Sequence, residues 1–143
     1  MERRLVAVWH RTPIECSSLE PADSGFHGDT AEEQAACATY WANHIVNFSF
    51  EVDGVPVNDL ASYRVVSPQF SFTAPTPWIF GDTGGAGRAV GDGYYIMVAP
   101  LSAGQHTIHF SGTFDFGSGG SFSLDMTYNI TVQPGHDADE DAE

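Results

Sequence analysis

The sequence predicts a mainly β protein, an antiparallel immunoglobulin-like two-sheet sandwich with one short N-terminal helix at about 30–43, and three observations carry that expectation. The stretch 121–132 places Phe122, Leu124, Met126, Tyr128, Ile130 and Val132 on one parity and Ser121, Ser123, Asp125, Thr127, Asn129 and Thr131 on the other. That is the period of two of a strand covered on one face only. Further short alternating runs recur along the chain, separated by Gly, Pro and Asp turn signals, as in sandwiches. A helical signal stands out in one place, near residue 30. The apolar side of 121–132 is expected to lie against a second sheet, with gross burial on the order of 10 kcal/mol before ordering entropy is subtracted.

Leu5–Trp9, nearest the amino terminus, is a short apolar run and a candidate first strand, inside a segment, 1–13, that is otherwise atypical and carries several of the arginines. Residues 13–28 are irregular, rich in Ser, Pro and Gly. Thr30 with Glu33 forms a capping box, Asp29 and Glu32 favour the positive end of a helix, and Ala31, Ala35, Ala36 and Ala38 propagate it. Cys37, Tyr40, Trp41 and His44 share a face by spacing, and this face is expected to pack on the sheet. From Ile45 the period becomes two, with Val46, Phe48, Phe50 and Val52 on the inner side. Asp53-Gly54 supplies a two-residue hairpin turn, and Pro56 confines the returning segment, Val55–Val57, to a short edge piece. Residues 63–67 and 69–73 read as one strand kinked at Pro68. The stretch 75–93, rich in Gly and Pro and without periodicity, reads as a long loop, a candidate binding lip. Residues 94–99 read as a buried strand. In 105–113, His106, Ile108 and Phe110 share one face and His109 the other, and Gly117–Gly120 joins this strand to 121–132. The sandwich is expected over 14–133, with an acidic, disordered tail over 134–143.

Composition bounds the function. With 143 residues, 42% of them hydrophobic, the chain is of single-domain size and too apolar to be disordered. The formal net charge of −14 disfavours nucleic acid and anionic membrane surfaces as partners. Five of the acids fall in 137–143, whose Asp-x-Asp-x-Asp spacing resembles the opening of a calcium loop but lacks its Gly and distal Glu. No apolar run reaches the length of a membrane span. Cys16 and Cys37 are the only cysteines; as an even pair without metal-ligand spacing they read as a disulfide, the alternative being two buried thiols. A disulfide implies an oxidising, extracellular compartment.

The chemical candidates are few. His106 and His109 are the metal candidates, but a spacing of three sends them to opposite faces of a strand, where they cannot chelate one ion without a bulge or an added partner such as His10, His27 or His44. Asp82-Thr83-Gly84 is the tripeptide of aspartic proteases, in a Gly-rich loop rather than at the end of a hydrophobic strand. That loop lacks the Lys of a phosphate loop, and no nucleophile elbow is present. Trp78, Phe80, Tyr94 and Tyr95 surround the loop, with Asp82 and Asp92 able to accept hydroxyl hydrogen bonds. Trp78, Asp82, Asp92, Tyr94 and Tyr95 are therefore the candidate ligand platform, against the alternative that these aromatics pin the loop to the core.

Several runs resemble a family of secreted bacterial proteins with no assigned activity. They are Glu15-Cys16-Ser17-Ser18, the Gly28-Asp29-Thr30 to Ala38 helix, Asp53-Gly54-Val55-Pro56-Val57, Asp92-Gly93-Tyr94 and, most specifically, Pro100-Leu101-Ser102-Ala103-Gly104-Gln105-His106-Thr107-Ile108-His109-Phe110. The resemblance spans roughly 14–132 and implies secretion and a sandwich fold. Met1–Pro13 departs from the family pattern, which predicts a chain shortened at its start. The expectation is a secreted, non-catalytic binding or assembly module without a cofactor. It would meet polysaccharide or another protein at the 75–93 loop and oligomerise through sheet edges. The runner-up is a small enzyme that uses a divalent metal at His106 or His109 on an extracellular polymer, and a third reading is an accessory domain of a larger protein.

Overall fold

A computed structural model describes residues 10–11, 14–78 and 83–134. In chain order the elements are β1 (His10–Arg11), β2 (Ile14–Ser17), helix α1 (Ala31–Ala42), β3 (Ile45–Val52), β4 (Val55–Pro56), β5 (Arg64–Val66), β6 (Phe70–Ala74), β7 (Gly85–Ile96), β8 (Gly104–Asp115) and β9 (Ser121–Val132). Two antiparallel sheets and one helix form the mainly β fold that the alternating runs predict. The strand expected at Leu5–Trp9, Asp82 and nearly all of the acidic tail lie outside the described residues. The sheet already begins within the segment read as atypical, since His10 and Arg11 pair with Ile96 and Tyr95.

The first sheet is organised around β7. One edge of β7 carries β2 and β1, and the other carries β5 and β6, which pair with its two halves. β5 and β6 are the kinked strand expected around Pro68. Nearly half of the stretch expected as a loop, 85–93, thus belongs to the central strand, and 75–84 connects β6 to β7. Glycines hide β7 from propensity reasoning, and around two of the glycines in this stretch space is short. A Cβ on Gly87 would lie 2.7 Å from Leu19 Cγ and 2.8 Å from Phe72 Cζ, and on Gly84 it would run into the carbonyls of Ala74 and Pro75.

The second sheet runs β4-β3-β8-β9. Asp53 and Gly54 have φ of +53° and +74°, the two positive values that a tight hairpin turn requires. The Asp53 carboxylate also accepts from Thr107 N at 2.8 Å and pairs with His106 Nδ1 at 2.7 Å. A bulge between Val46 and Ser49, with Asn47 at φ +53°, inserts one residue opposite β8. It shifts the parity, so Ile45 and Phe48 point inward while Val46, expected on the inner side, is exposed.

The core is Phe50, Ile96, Ile108 and Phe110, ringed by Phe48, Val52, Val57, Leu60, Tyr63, Val98 and Ile130. Helix α1 is capped as its sequence dictates: Glu33 N donates to Thr30 Oγ1, and Thr30 N and Asp29 N donate to Glu33 Oε2. Its contact with β2 and β7 uses the face of Gln34, Ala38 and Ala42, two of them small, rather than the aromatic face expected. Small side chains let the helix approach the sheet closely. Tyr40 and Trp41 are displaced sideways with His44, and Trp41 stacks on Phe26 at 4.7 Å. The Cys16–Cys37 disulfide ties α1 to β2.

Candidate functional site

β9 does not do what its alternation suggests. The strand and its parity are as expected, and Ile130 reaches the core, but among the described residues no second sheet covers its apolar side over 122–128: Phe122, Leu124, Met126 and Tyr128 are 52%, 42%, 42% and 41% exposed. The first sheet meets the second at β3 and β8, where Ile96 packs with Phe50, Ile108 and Phe110 and Tyr94 stacks on Phe48, and most of β9 lies beyond that contact, held by β8.

The overhang forms one wall of an apolar groove of about 680 Å³, within the ordinary range of ligand sites. Ile14, Phe26 and Trp41 face it from the side of the first sheet and the helix, and Ile45, Phe48, Phe110 and Phe114 form its floor. Phe116 closes one end, stacked in a ladder in which Phe114 lies 4.8 Å from Phe122. Of the lining residues only Ser111 carries an aliphatic hydroxyl, and that hydroxyl is already bonded to Ser49 at 2.7 Å. Such a surface recognises apolar groups by area and shape; it offers a sugar or a phosphate almost nothing to bond with.

The edge of β9 is equally distinctive. Thr107 O accepts from Asp53 N, and Asp115 N donates to His44 O. The odd residues of β8 therefore turn their backbone groups toward β3, and the even ones toward β9. The β8–β9 register pairs even with even, His106 with Ile130 through Phe114 with Phe122. It follows that the N–H and C=O groups of Ser123, Asp125, Thr127, Asn129 and Thr131 point outward, and among the described residues no strand pairs with that edge.

The residues nominated from sequence scatter. Trp78 lines a second cleft, of about 640 Å³, on the outer face of the first sheet, with Phe72, Pro75, Pro77, Ser17, Glu15 and Glu20. Burial raises the Glu20 carboxyl above its usual value, partly opposed by His27. Tyr95 shares that face of β7 with Ala89 but lies six residues along, about 20 Å away. Tyr94 is inside, stacked on Phe48 at 4.6 Å. Asp92 is 1% exposed and forms a structural joint. It receives Arg64 Nε and Nη2 at 2.9 Å each and Thr39 Oγ1 at 2.8 Å, while Arg64 also reaches Asn43. Burial alone would raise its carboxyl, but the hydrogen bonds from Arg64 and Thr39 outweigh this and hold it below the usual range.

The two strand histidines are on opposite faces, as their spacing requires. His106 bonds Asp53 and the Ser102 carbonyl, at 2.7 and 2.8 Å; the Asp53 hydrogen bond, then the Ser102 carbonyl, raise its pKa. His109 meets Asp125 at 3.1 Å on the outer face. Among the described residues no three His, Cys, Asp or Glu side chains group so as to hold a metal ion, and no helix is long and apolar enough to cross a membrane.

Sequence reasoning missed the groove because alternation reports which side of a strand is apolar, not what stands opposite. One signal was present: Phe110, Phe114, Phe116 and Phe122 cluster around a single hairpin.

The fold and its surface define a small two-sheet β domain with a disulfide-pinned helix and an open apolar groove beside an edge strand. No protein-family profile, curated protein or solved structure matches the chain.

Proposed function

We propose that the chain is a secreted, non-catalytic binding or assembly module of the immunoglobulin-like kind, and that its contact surface is β9, which accepts an extended, apolar-faced strand from a protein partner. The observation that carries this reading is the coincidence, on one strand, of outward-pointing backbone groups with an exposed apolar face. A strand laid along that edge bonds the backbone groups and continues the apolar wall with its alternate side chains, the arrangement of β-strand addition. Natural edges of this length are usually guarded by Lys, Pro, a bulge or a covering loop. β9 has no Lys, no Pro and a single charge, Asp125, and its register with β8 is unbroken. The disulfide supports an oxidising compartment, and the resemblance to a secreted family agrees with it.

The test is a synthetic peptide alternating Val and Thr, added to dilute protein. Slowed hydrogen exchange at Ser123, Asp125, Thr127 and Asn129 is expected, and Leu124→Lys should weaken binding. Exchange unchanged at saturating peptide would refute the reading. A second reading rests on Trp78, which lines a cleft together with Glu15, Glu20 and Ser17; an aromatic ring beside acceptors for hydroxyl groups suits a sugar. A polysaccharide pull-down in which Trp78→Ala binds as well as the wild type would remove it.

A further inference from the structure

We infer that the strand β9 accepts is β9 of a second copy, the two running antiparallel about a two-fold axis through Thr127, so that two four-stranded sheets join into one. The inference deepens the strand-accepting reading by naming the occupant, and it rests on that reading for the availability of the edge.

The argument is one of self-complementarity. Two copies of a strand related by a two-fold axis are antiparallel, and residues of the same parity then face each other. The outward-pointing groups of β9 all belong to odd residues, so an odd residue of one copy meets an odd residue of the other with both sets of donors and acceptors presented. The same geometry sets apolar opposite apolar and polar opposite polar.

The register is decided by charge. β9 carries one ionised side chain, Asp125, on a molecule of net charge −14. Centring the axis on Asp125 would place two carboxylates directly opposite. Centring it on Met126 would leave them as diagonal neighbours, about 7–8 Å apart. Centring it on Thr127 sets each Asp125 opposite Asn129 and separates the carboxylates by four residues, about 14 Å, beyond the screening length of about 8 Å at physiological salt. In that register Met126 faces Tyr128, Leu124 faces Ile130 and Phe122 faces Val132. Ser123 faces Thr131, and Thr127 faces itself. The apolar walls of the two grooves become continuous across the axis, which covers part of the surface that Leu124, Met126 and Tyr128 expose in one copy.

Because both copies are acidic, association is expected to tighten with added salt, opposite to a salt-bridged interface. Sedimentation velocity over a concentration series should show a reversible monomer–dimer equilibrium, weakened about tenfold by Met126→Lys, which loses two symmetry-related apolar cross-strand pairs. Since Met126→Lys alone could act through the fold, the register is read from the exposed polar face. The cysteines are both in the disulfide, so Thr127→Cys introduces one reactive thiol. Under mild oxidation Thr127→Cys should form a linked dimer many times faster than Asn129→Cys, which leaves Asp125 in place and sets the two thiols four residues apart. A wild-type protein that stays monomeric at every concentration, or Thr127→Cys linking no faster than Asn129→Cys, would overturn the inference. A monomer that still binds the alternating Val-Thr peptide would remove the second copy while leaving the strand-accepting reading in place; a monomer that ignores the peptide removes both.

Discussion

Asp92→Asn is the sharpest test of how the first sheet is joined to the helix. The substitution preserves shape but replaces a carboxylate oxygen with a donor, and that site is already filled by donors from Arg64 and Thr39. Breaking one partner of a buried ion pair costs about 3–5 kcal/mol. The Arg64 side chain is 27% exposed and keeps its bond to Asn43. Part of its charge can therefore be rehydrated, which puts the expected loss near the lower limit, about 3 kcal/mol. At roughly 3 °C per kcal/mol for a chain of this size, Tm should fall by about 10 °C at pH 7. The sign with pH is fixed by the depressed carboxyl. Asp92 contributes stability that is fully present above its unfolded value of about 3.9 and is lost as pH falls through its lower folded value. Urea unfolding monitored by circular dichroism should therefore show a wild-type advantage that is wide at pH 7 and narrows as pH drops below about 4. An Asp92→Asn protein within about 1 kcal/mol of wild type at pH 7 would refute the reasoning, as would a gap that does not narrow in acid.

Single contacts set the other expectations. Replacing both Cys16 and Cys37 by Ala opens a loop with a sequence separation of 21, and chain entropy sets the loss at about 3 kcal/mol, readable as a urea midpoint. Gly87→Ala should destabilise by about 1–3 kcal/mol because its Cβ meets Leu19 and Phe72; a neutral result in thermal melts would mean that β7 is less confined than described. His106, its pKa raised by Asp53 and the Ser102 carbonyl, contributes stability that is full below its unfolded value of about 6.5 and is lost as pH rises through its folded value. The advantage of wild type over His106→Gln in urea should accordingly be larger at pH 5.5 than at pH 8.5, and the reverse order would contradict the Asp53–His106 pairing.

Much of the fold was legible because local chemistry and global structure agree. Thr30 and Glu33 cap the helix, Asp53-Gly54 turns the β3–β4 hairpin, Pro68 splits one strand into β5 and β6, and the parity of β9 is right along its length. The parts that stayed hidden depend on spatial neighbours. β7 lacks alternation because Gly87 is fitted to Leu19 and Phe72, and because Asp92 is kept ionised beneath the helix by Arg64, a residue distant in sequence. Alternation predicts Val46 inward, but the bulge resets parity and leaves it exposed; Asn47, a residue that tolerates positive φ, is the trace of the bulge. The helix docks by Ala38 and Ala42 because only small side chains allow the approach. At the candidate site, the pattern of β9 predicts burial, but which strands the opposing sheet meets, here β3 and β8 through Phe48, Phe50, Ile108 and Phe110, is not encoded in that pattern.

The central claim is that β9 is bonded to β8 by one set of amides while presenting the other set outward beside an open apolar wall. Residue-resolved amide exchange in dilute protein measures this directly. Slow exchange is predicted at Leu124, Met126 and Tyr128, fast exchange at Ser123, Asp125, Thr127 and Asn129, and selective slowing of the second group as concentration rises. Equal protection of both groups in a dilute monomer would mean that the edge is already covered within one chain, and would contradict the claim.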